Sequence, residues 1–530
     1  MRSFGVVMRV GALLVAGAPA LLHAQRERAV FLVRHGADTV AVETASRDGA
    51  SAEGTVRFRA PLLLVRQVVS FSHADTIARV VTAVGRGALG DSAVLSAELT
   101  FNGDSAFSHV IGAPTPIPDR RFAVPTGVVP FVDLSGLSLE LILRRARALG
   151  GDTAHVPLLL VNGQSIVAAV RRLGTDSALV ALGSVTLRAR TDAVGRLLGA
   201  SVSAQDVVFE RLPGDSPVAA WSPAPKPVSY AAPAGAPYTA EDVVVTTPAK
   251  LNLAGTLTMP LHRAGARQPA VVLITGSGAQ DRDEGTPFLE KWRPFRAIAD
   301  TLSRRGIAVL RLDDRGVGGS DAGAPTATSA DFADDVRAAV AWLRARPDVD
   351  PERIGLVGHS EGAIIAPMVA STDGRLRAIA LIAGTASPGR AILAEQRRYL
   401  FDADTTLTPA RRDSLLVLAT READSALAVP GWMHFFADYD PLVTARRVRV
   451  PTLILQGETD RQVPAVEAQR LASAMRAAGN RHVTVRTFPR MNHLMVEDPS
   501  GSPLRYPSLP SFEVRQDLRG VLADWLARTL

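Results

Sequence analysis

Gly358-His359-Ser360-Glu361-Gly362 is the stretch of this chain whose residue types and spacing are best suited to chemistry. The short apolar run Arg353–Val357 before it reads as a buried strand, and Ala363–Val369 after it reads as a packed helix. A serine on so tight a strand-to-helix turn stands clear of the sheet, and glycines on either side let neighbouring backbone pass close to it. Such a serine does nucleophilic work: it attacks a carbonyl once a base takes its proton, and the base needs a carboxylate to orient it. A second charged stretch, Asp281-Arg282-Asp283-Glu284, with Asp313, Asp314 and Arg315 further on, suggests a metal site or an acid/base pair. The mixed signs instead predict ion pairs that tie two loops together. No His/Asp/Glu cluster has metal-ligand spacing, and Gly316–Gly319 lacks the Lys-Ser/Thr of a phosphate loop, so no metal and no cofactor is expected.

The elements that must position Ser360 alternate between two periodicities. Glu241–Thr246 and Leu251–Met259 form a hairpin pattern leading into the continuous apolar strand Ala270–Ile274. Phe295, Ile298, Ala299 and Leu302 share one helical face closed by Gly306, and the strand Ile307–Leu312 follows. Thr328 and Asp331 have the spacing of a capping box, ahead of a helix lined by Phe332, Val336, Val340 and Leu343. Further strands are expected at Ala378–Ile382, Thr452–Leu455 and Val483–Phe488, with helices over about Ala465–Ala478 and Phe512–Ala527. Apolar strands alternating with amphipathic helices predict an α/β domain, a doubly wound, mostly parallel sheet covered on both faces.

Gly276–Glu284 (G-S-G-x-Q-D-R-D-E), Asp313–Ser320 (D-D-R-G-x-G-x-S) and Gly358–Gly362 (G-H-S-E-G) occur in that order. Together they resemble the α/β-hydrolase superfamily, most closely bacterial esterases and serine aminopeptidase-like hydrolases, over about residues 240 to 530. The resemblance implies an acid on the loop after Thr452–Leu455, where Gln456–Pro464 matches at Asp460, with Glu458 as the local rival. It implies a base at His493, in the loop Pro489–Met495; His359, His434 and His482 are then structural or substrate-lining. It also implies an oxyanion hole made by the backbone N–H groups of Glu361 and Ser277. Many relatives read His-Gly-Ser-Gly where this chain has Thr275-Gly276-Ser277-Gly278, which leaves the backbone donor intact. An insertion at about 387–448 matches the superfamily's cap. Trp432, Phe435, Phe436 and Tyr439 there line an acyl pocket or form the cap's own small core, and the sequence does not separate the two.

The reaction so implied is hydrolysis of small-molecule carboxylic esters, short acyl chains favoured, through a Ser-His-Asp triad and an acyl-enzyme. An aminopeptidase or acyl-peptidase with the same triad is the alternative within enzymes, and a non-catalytic envelope ligand-binding protein the alternative outside them.

A chain of 530 residues exceeds one usual domain. Residues 25–210 show short alternating runs such as Thr55–Phe58, Val185–Arg188 and Val202–Phe209, which predict a mostly antiparallel β domain. One helix interrupts it, Gly136–Ala148 behind Ser135 as N-cap. Residues 211–238 are rich in Pro and Ala and read as a linker; 239–530 form the α/β-hydrolase domain. Phe31–Gly36 is similar to the R-H-G opening of histidine phosphatases, but the β-type alternation continues beyond it, so Arg34 and His35 are expected on the solvent face of a strand end. Arg2 and Arg9, the apolar run Val10–Leu22 and Ala24 read as a signal peptide over residues 1–24, and imply a periplasmic or secreted protein with no stable membrane span after cleavage. With no cysteine there is no disulfide and no thiolate metal site. The net charge of +7 comes from arginines spread along the chain, only Lys226, Lys250 and Lys291 being lysines, without the aromatic-interleaved cluster of a nucleic-acid binder.

Overall fold

The computed structural model describes residues 26–530 except 60–62, 74–75, 87–92, 112–118, 161–164, 183–184, 223–227, 262–264, 286–288, 290, 325, 404–407 and 428–430. The expected signal peptide lies outside the described residues. The chain divides into two compact units, Met1–Pro225 and Lys226–Leu530.

Among its described residues the first unit has a single sheet of fifteen strands. Two meanders stand back to back: strands from Glu27–His35 to Arg120–Ala123 step outward in chain order on one side, and those from Val207–Pro213 back to Val129–Phe131 step outward on the other. Glu27–His35 and Val207–Pro213 pair antiparallel in the middle. Neighbours are antiparallel except Val129–Phe131, which runs parallel to Thr153–Leu160. Alternate residues along Ser51–Phe58 are buried, as period-two patterning requires. His35 ends its strand exposed to solvent, and Arg34 pairs with Glu210 at 2.7 Å.

The helix Gly136–Leu149 packs on this sheet through Leu137, Leu141 and Ile142. Ser135 caps it, its side chain accepting the Ser138 N–H at 3.0 Å. The helix start is also held by Glu43, which accepts from the Ser135 hydroxyl at 2.7 Å and the Leu137 N–H at 3.0 Å. Full burial pushes the Glu43 carboxyl up to about 7, against the hydrogen bonds that favour its charge.

The second unit holds an eight-stranded sheet: β1 Tyr238–Thr246, β2 Asn252–Pro260, β3 Gln268–Ile274, β4 Ala308–Leu312, β5 Val349–His359, β6 Ala378–Ile382, β7 Thr452–Gly457 and β8 Val483–Phe488. Their order is β1-β2-β4-β3-β5-β6-β7-β8. β2 pairs antiparallel with β1 and β4, and all other pairs are parallel. Val272 and Leu356 face one apolar cluster while Val271 and Val357 face another on the opposite side, so the strands are apolar throughout. Thr328 and Asp331 form the capping box of Ser329–Ala345. Between β6 and β7 the described residues of the insertion form the helices Gly389–Ala403, Pro409–Leu427, Trp432–Asp438 and Pro441–Ala445. Among the described residues no helix is long and apolar enough to cross a membrane.

The stretch read as a linker is structured at both ends. Arg211–Pro213 complete a strand of the first unit, and Tyr230 lies with its ring 4.3 Å from the Arg282 guanidinium in the second. The cation held over the aromatic face explains why a Pro/Ala-rich segment is fixed there.

Candidate active site

Ser360 sits between β5 and the helix Gly362–Ala370 with φ of +52°, a left-handed conformation that a non-glycine residue adopts only when its surroundings hold it. Its N–H donates to the Ile382 carbonyl of β6 at 2.9 Å. The flanking glycines are required by contact: a Cβ at Gly358 would run into the Gly362 carbonyl, and one at Gly362 into the Ile274 carbonyl of β3. The turn can be this tight only because neither has a side chain.

The loops after β7 and β8 bring the two partners in. His493 Nε2 is 3.1 Å from Ser360 Oγ, and its Nδ1 is 2.8 Å from Asp460 Oδ2. A carboxylate accepts, so Nδ1 carries the proton and Nε2 is left to receive the serine hydrogen. Asp460 is held by the Gln462 and Val463 N–H groups on Oδ1, at 2.8 and 2.9 Å, and by Gln456 Nε2 on Oδ2 at 3.2 Å. Its rival Glu458 is exposed and accepts from the Thr487 hydroxyl at 2.8 Å. His434 bonds the Leu427 carbonyl within the cap, and His482 lies exposed ahead of β8.

Beyond β3, the Ser277 N–H has no protein acceptor among the described residues, and neither has the Glu361 N–H. Both are therefore free for a ligand oxygen. Thr275, which stands where many relatives carry histidine, donates its hydroxyl to Asp314 Oδ1 at 2.7 Å, and Asp314 Oδ2 accepts the Gln280 N–H at 2.9 Å. Burial pushes the Asp314 carboxyl up to about 8. Arg282 grips Asp313 with two bonds, Nε to Oδ1 at 3.0 Å and Nη2 to Oδ2 at 2.8 Å, so the charged stretches do tie two loops together. Arg315 departs from that expectation. Its guanidinium turns to Asp335, on the helix Ser329–Ala345, at 2.6 Å.

Three features of the site were not legible from residue order. His359, expected to be structural or substrate-lining, is wholly buried and bridges the loops: Nδ1 is 2.8 Å from Glu284 Oε1, and Nε2 donates to the His493 carbonyl at 3.0 Å. Burial alone would lower the His359 pKa, but the Glu284 carboxylate more than offsets this and raises it. Glu284 Oε1 accepts the Gly276 N–H as well, at 2.8 Å. One side-chain pair thus links the loop after β3, the serine turn and the loop that carries His493. Second, the Glu361 carboxyl is buried beside the serine, accepting on Oε1 from the Ser329 hydroxyl at 2.6 Å and Trp432 Nε1 at 2.7 Å. Burial raises its pKa. Third, the cap aromatics divide their work. Trp432 reaches Glu361 and stacks on Phe436, while Phe435 and Tyr439 stack on each other against the sheet core.

A sheet of this topology, with a serine on a strained turn after β5 and its partners beyond β7 and β8, defines an α/β-hydrolase, and the chain belongs to the alpha/beta hydrolase family, whose model matches residues 271–501. Among its relatives, Esterase EstD of Thermotoga maritima is 28% identical over 283 residues, a match covering 52% of this chain and 66%, just under two thirds, of that protein's length. An uncharacterized protein of Mycobacterium tuberculosis is 30% identical over 254 residues, covering 46% of this chain and 70% of the relative. A solved structure of a Pyrococcus furiosus esterase is 18% identical and covers 57% of this chain and 96% of its own, with a TM-score of 0.39.

Proposed function

We propose that the protein is a serine hydrolase that cleaves small carboxylic esters, short acyl chains favoured, through an acyl-enzyme on Ser360. The observation that carries this reading is the continuous relay from Ser360 Oγ to His493 at 3.1 Å and from His493 to Asp460 at 2.8 Å, beside two unengaged N–H groups. His493 Nε2 takes the serine proton as Oγ attacks the ester carbonyl. The oxygen becomes an anion held by the Ser277 and Glu361 N–H groups, and Asp460 stabilises the imidazolium without taking its proton. Collapse breaks the ester C–O bond, and His493 returns the proton to the departing alcohol. Water then repeats the sequence on the acyl-enzyme and releases the carboxylic acid.

Glu361 bears on the choice between ester and peptide. A buried carboxylate beside the nucleophile is where a peptidase would anchor a free ammonium. This one already accepts from Ser329 and Trp432, and burial raises its pKa, both of which make it a poorer ammonium partner. Two of the cap acids are also committed, Asp402 to Arg412 at 3.3 Å and Asp424 to Arg390 at 3.0 Å. Trp432, bonded to the residue that follows Ser360, supports the preference for short acyl groups by bringing a bulky ring to the neighbourhood of the nucleophile.

We propose as well that the protein is exported to the periplasm or the medium, on the strength of its N-terminal Arg2, Arg9, Val10–Leu22 and Ala24 pattern. Fluorophosphonate labelling, with the modified residue mapped by mass spectrometry, tests the nucleophile. Labelling at Ser360 is expected, and an unlabelled, folded protein would leave the non-catalytic reading standing. Acetyl and butyryl aryl esters should be turned over with higher kcat/KM than amino-acid arylamides on the same preparation, and the reverse order would make the protein a peptidase.

A further inference from the structure

Within the second unit a cleft of about 410 Å³ opens between the helix Pro294–Ser303, the segment Phe512–Val514, the ends of β1 and β4, and residues 230–233. That volume lies in the range of small-molecule sites, roughly 300 to 1,000 Å³. None of its lining residues belongs to the triad, the oxyanion loop or the cap. Five cations line it, Lys291, Arg293, Arg296, Arg304 and Arg311, against two acids, Asp300 and Glu513.

The pairing within this cluster is incomplete. Arg304 is matched by Asp300 at 3.0 Å, and Arg293 by Asp281 at 2.9 Å. Arg311 pairs with the wholly buried Asp283, which Arg293 also approaches at 3.5 Å. Glu513 is matched by Arg519 at 3.3 Å. No carboxylate among the described residues lies within ion-pair distance of Lys291 or Arg296. Arg311 is only 2% exposed, yet its Nε–H finds no acceptor. A buried donor without a partner carries its full desolvation cost, so an acceptor delivered through the cleft would be favoured. Burial lowers the Arg311 pKa, as expected of a guanidinium whose counter-charge is insufficient. The remaining walls are largely apolar, with Tyr230, Pro233, Ala297, Phe512 and Val514 around the charged cluster.

We propose that this cleft is a binding site for a small organic carboxylate, the anionic head taken by Arg311 and Arg296 with Lys291 beside them, and the apolar body resting against Phe512, Val514 and Pro233. The planar guanidinium fork matches a carboxylate. Because Asp281, Asp283 and Asp300 already offset three of the five cations and the remaining walls are largely apolar, a monoanion with an apolar body suits the site better than a compact, strongly hydrated dianion.

Equilibrium dialysis of the full chain with radiolabelled benzoate, and with inorganic phosphate as competitor, tests this. Arg311 itself is left intact, because removing it would strand the buried Asp283. Arg296→Ala, Lys291→Ala and the double variant are compared with wild type, thermal unfolding confirming that each is folded. One benzoate bound per chain is expected, with affinity reduced roughly tenfold or more in the double variant and phosphate displacing benzoate poorly. Absence of benzoate binding up to tens of millimolar would overturn the proposal. So would affinity unchanged in the folded double variant, which would locate benzoate elsewhere, or phosphate displacing benzoate more effectively than benzoate itself.

Discussion

Replacing Glu284 with glutamine isolates what the buried pair with His359 contributes to catalysis. Glu284 Oε1 takes two donors, His359 Nδ1 and the Gly276 N–H, each at 2.8 Å, while Oε2 is buried without a donor. An amide cannot reproduce this. With its oxygen at the Oε1 position it withdraws the negative charge that raises the His359 pKa, and with its NH2 there the Gly276 N–H meets another donor. Either way one charge-assisted hydrogen bond is lost, about 1.5–3 kcal/mol. Gly276 precedes Ser277, the proposed oxyanion donor, and His359 holds the backbone of His493, so the loss should fall on transition-state geometry more than on substrate affinity. At 1.36 kcal/mol per decade, kcat should fall roughly 10- to 150-fold. Steady-state kinetics with an aryl acetate, alongside thermal unfolding, provide the assay: lower kcat, KM within about twofold of wild type, and folded protein at the assay temperature. A folded Glu284→Gln enzyme with wild-type kcat would refute the reasoning, as would a loss confined to KM.

Ser360→Ala and His493→Ala should each lower turnover by a factor on the order of 10⁴ to 10⁶, because triad members act as a unit. Asp460→Asn should cost less and Glu458→Gln nothing measurable; the opposite pattern in the two acid variants would move the orienting carboxylate to Glu458. Trp432→Phe keeps the stack on Phe436 but removes the N–H bonded to Glu361, and should raise KM for acetyl esters while relaxing the preference for short chains, read from an acyl-length series. Glu43 binds its proton more tightly in the folded state, its pKa rising from 4.5 to about 7. Its contribution to stability is therefore full below about pH 4.5 and lost as pH rises through about 7, a change on the order of 3 kcal/mol that Glu43→Gln should abolish. Parallel urea-unfolding profiles of wild type and variant from pH 4 to 8 would contradict this.

The fold was legible where a local pattern has one physical solution. Continuous apolar strands between amphipathic helices can be buried only in a sheet covered on both faces, and Val271 and Val272 do point to opposite clusters. Thr328 with Asp331, and Ser135 with its helix, are contacts within a few residues that spacing alone fixes. What residue order could not supply were partnerships across long separations. His359 and Glu284 are 75 residues apart, and Trp432 is 71 from Glu361, so nothing in either neighbourhood announces the other. For Ser360, Asp460 and His493 the resemblance supplied the grouping, and the structure brings the three within hydrogen-bond distance. Arg315 shows the limit of counting charges: the pattern forecast an ion pair but not which of several nearby acids would take it.

Joining the first strand of the N-terminal unit to its last leaves Glu27–His35 with one bare edge until Val207–Pro213 has been made, roughly 170 residues later. At about 5–20 residues per second of synthesis, that edge waits on the order of ten to thirty seconds. Each meander can zip up hairpin by hairpin meanwhile, but the seam closes only when both are complete, and until then the edge can pair with another copy of the chain. Its sequence is guarded for that interval. Glu27 and Arg28 precede the apolar run Ala29–Val33, and Arg34 and His35 follow it, charged or polar residues on both flanks of the segment most prone to wrong pairing. The R-H-G stretch that resembles a phosphatase motif thus stands where charge and polarity disfavour wrong pairing of that edge while the chain is unfinished.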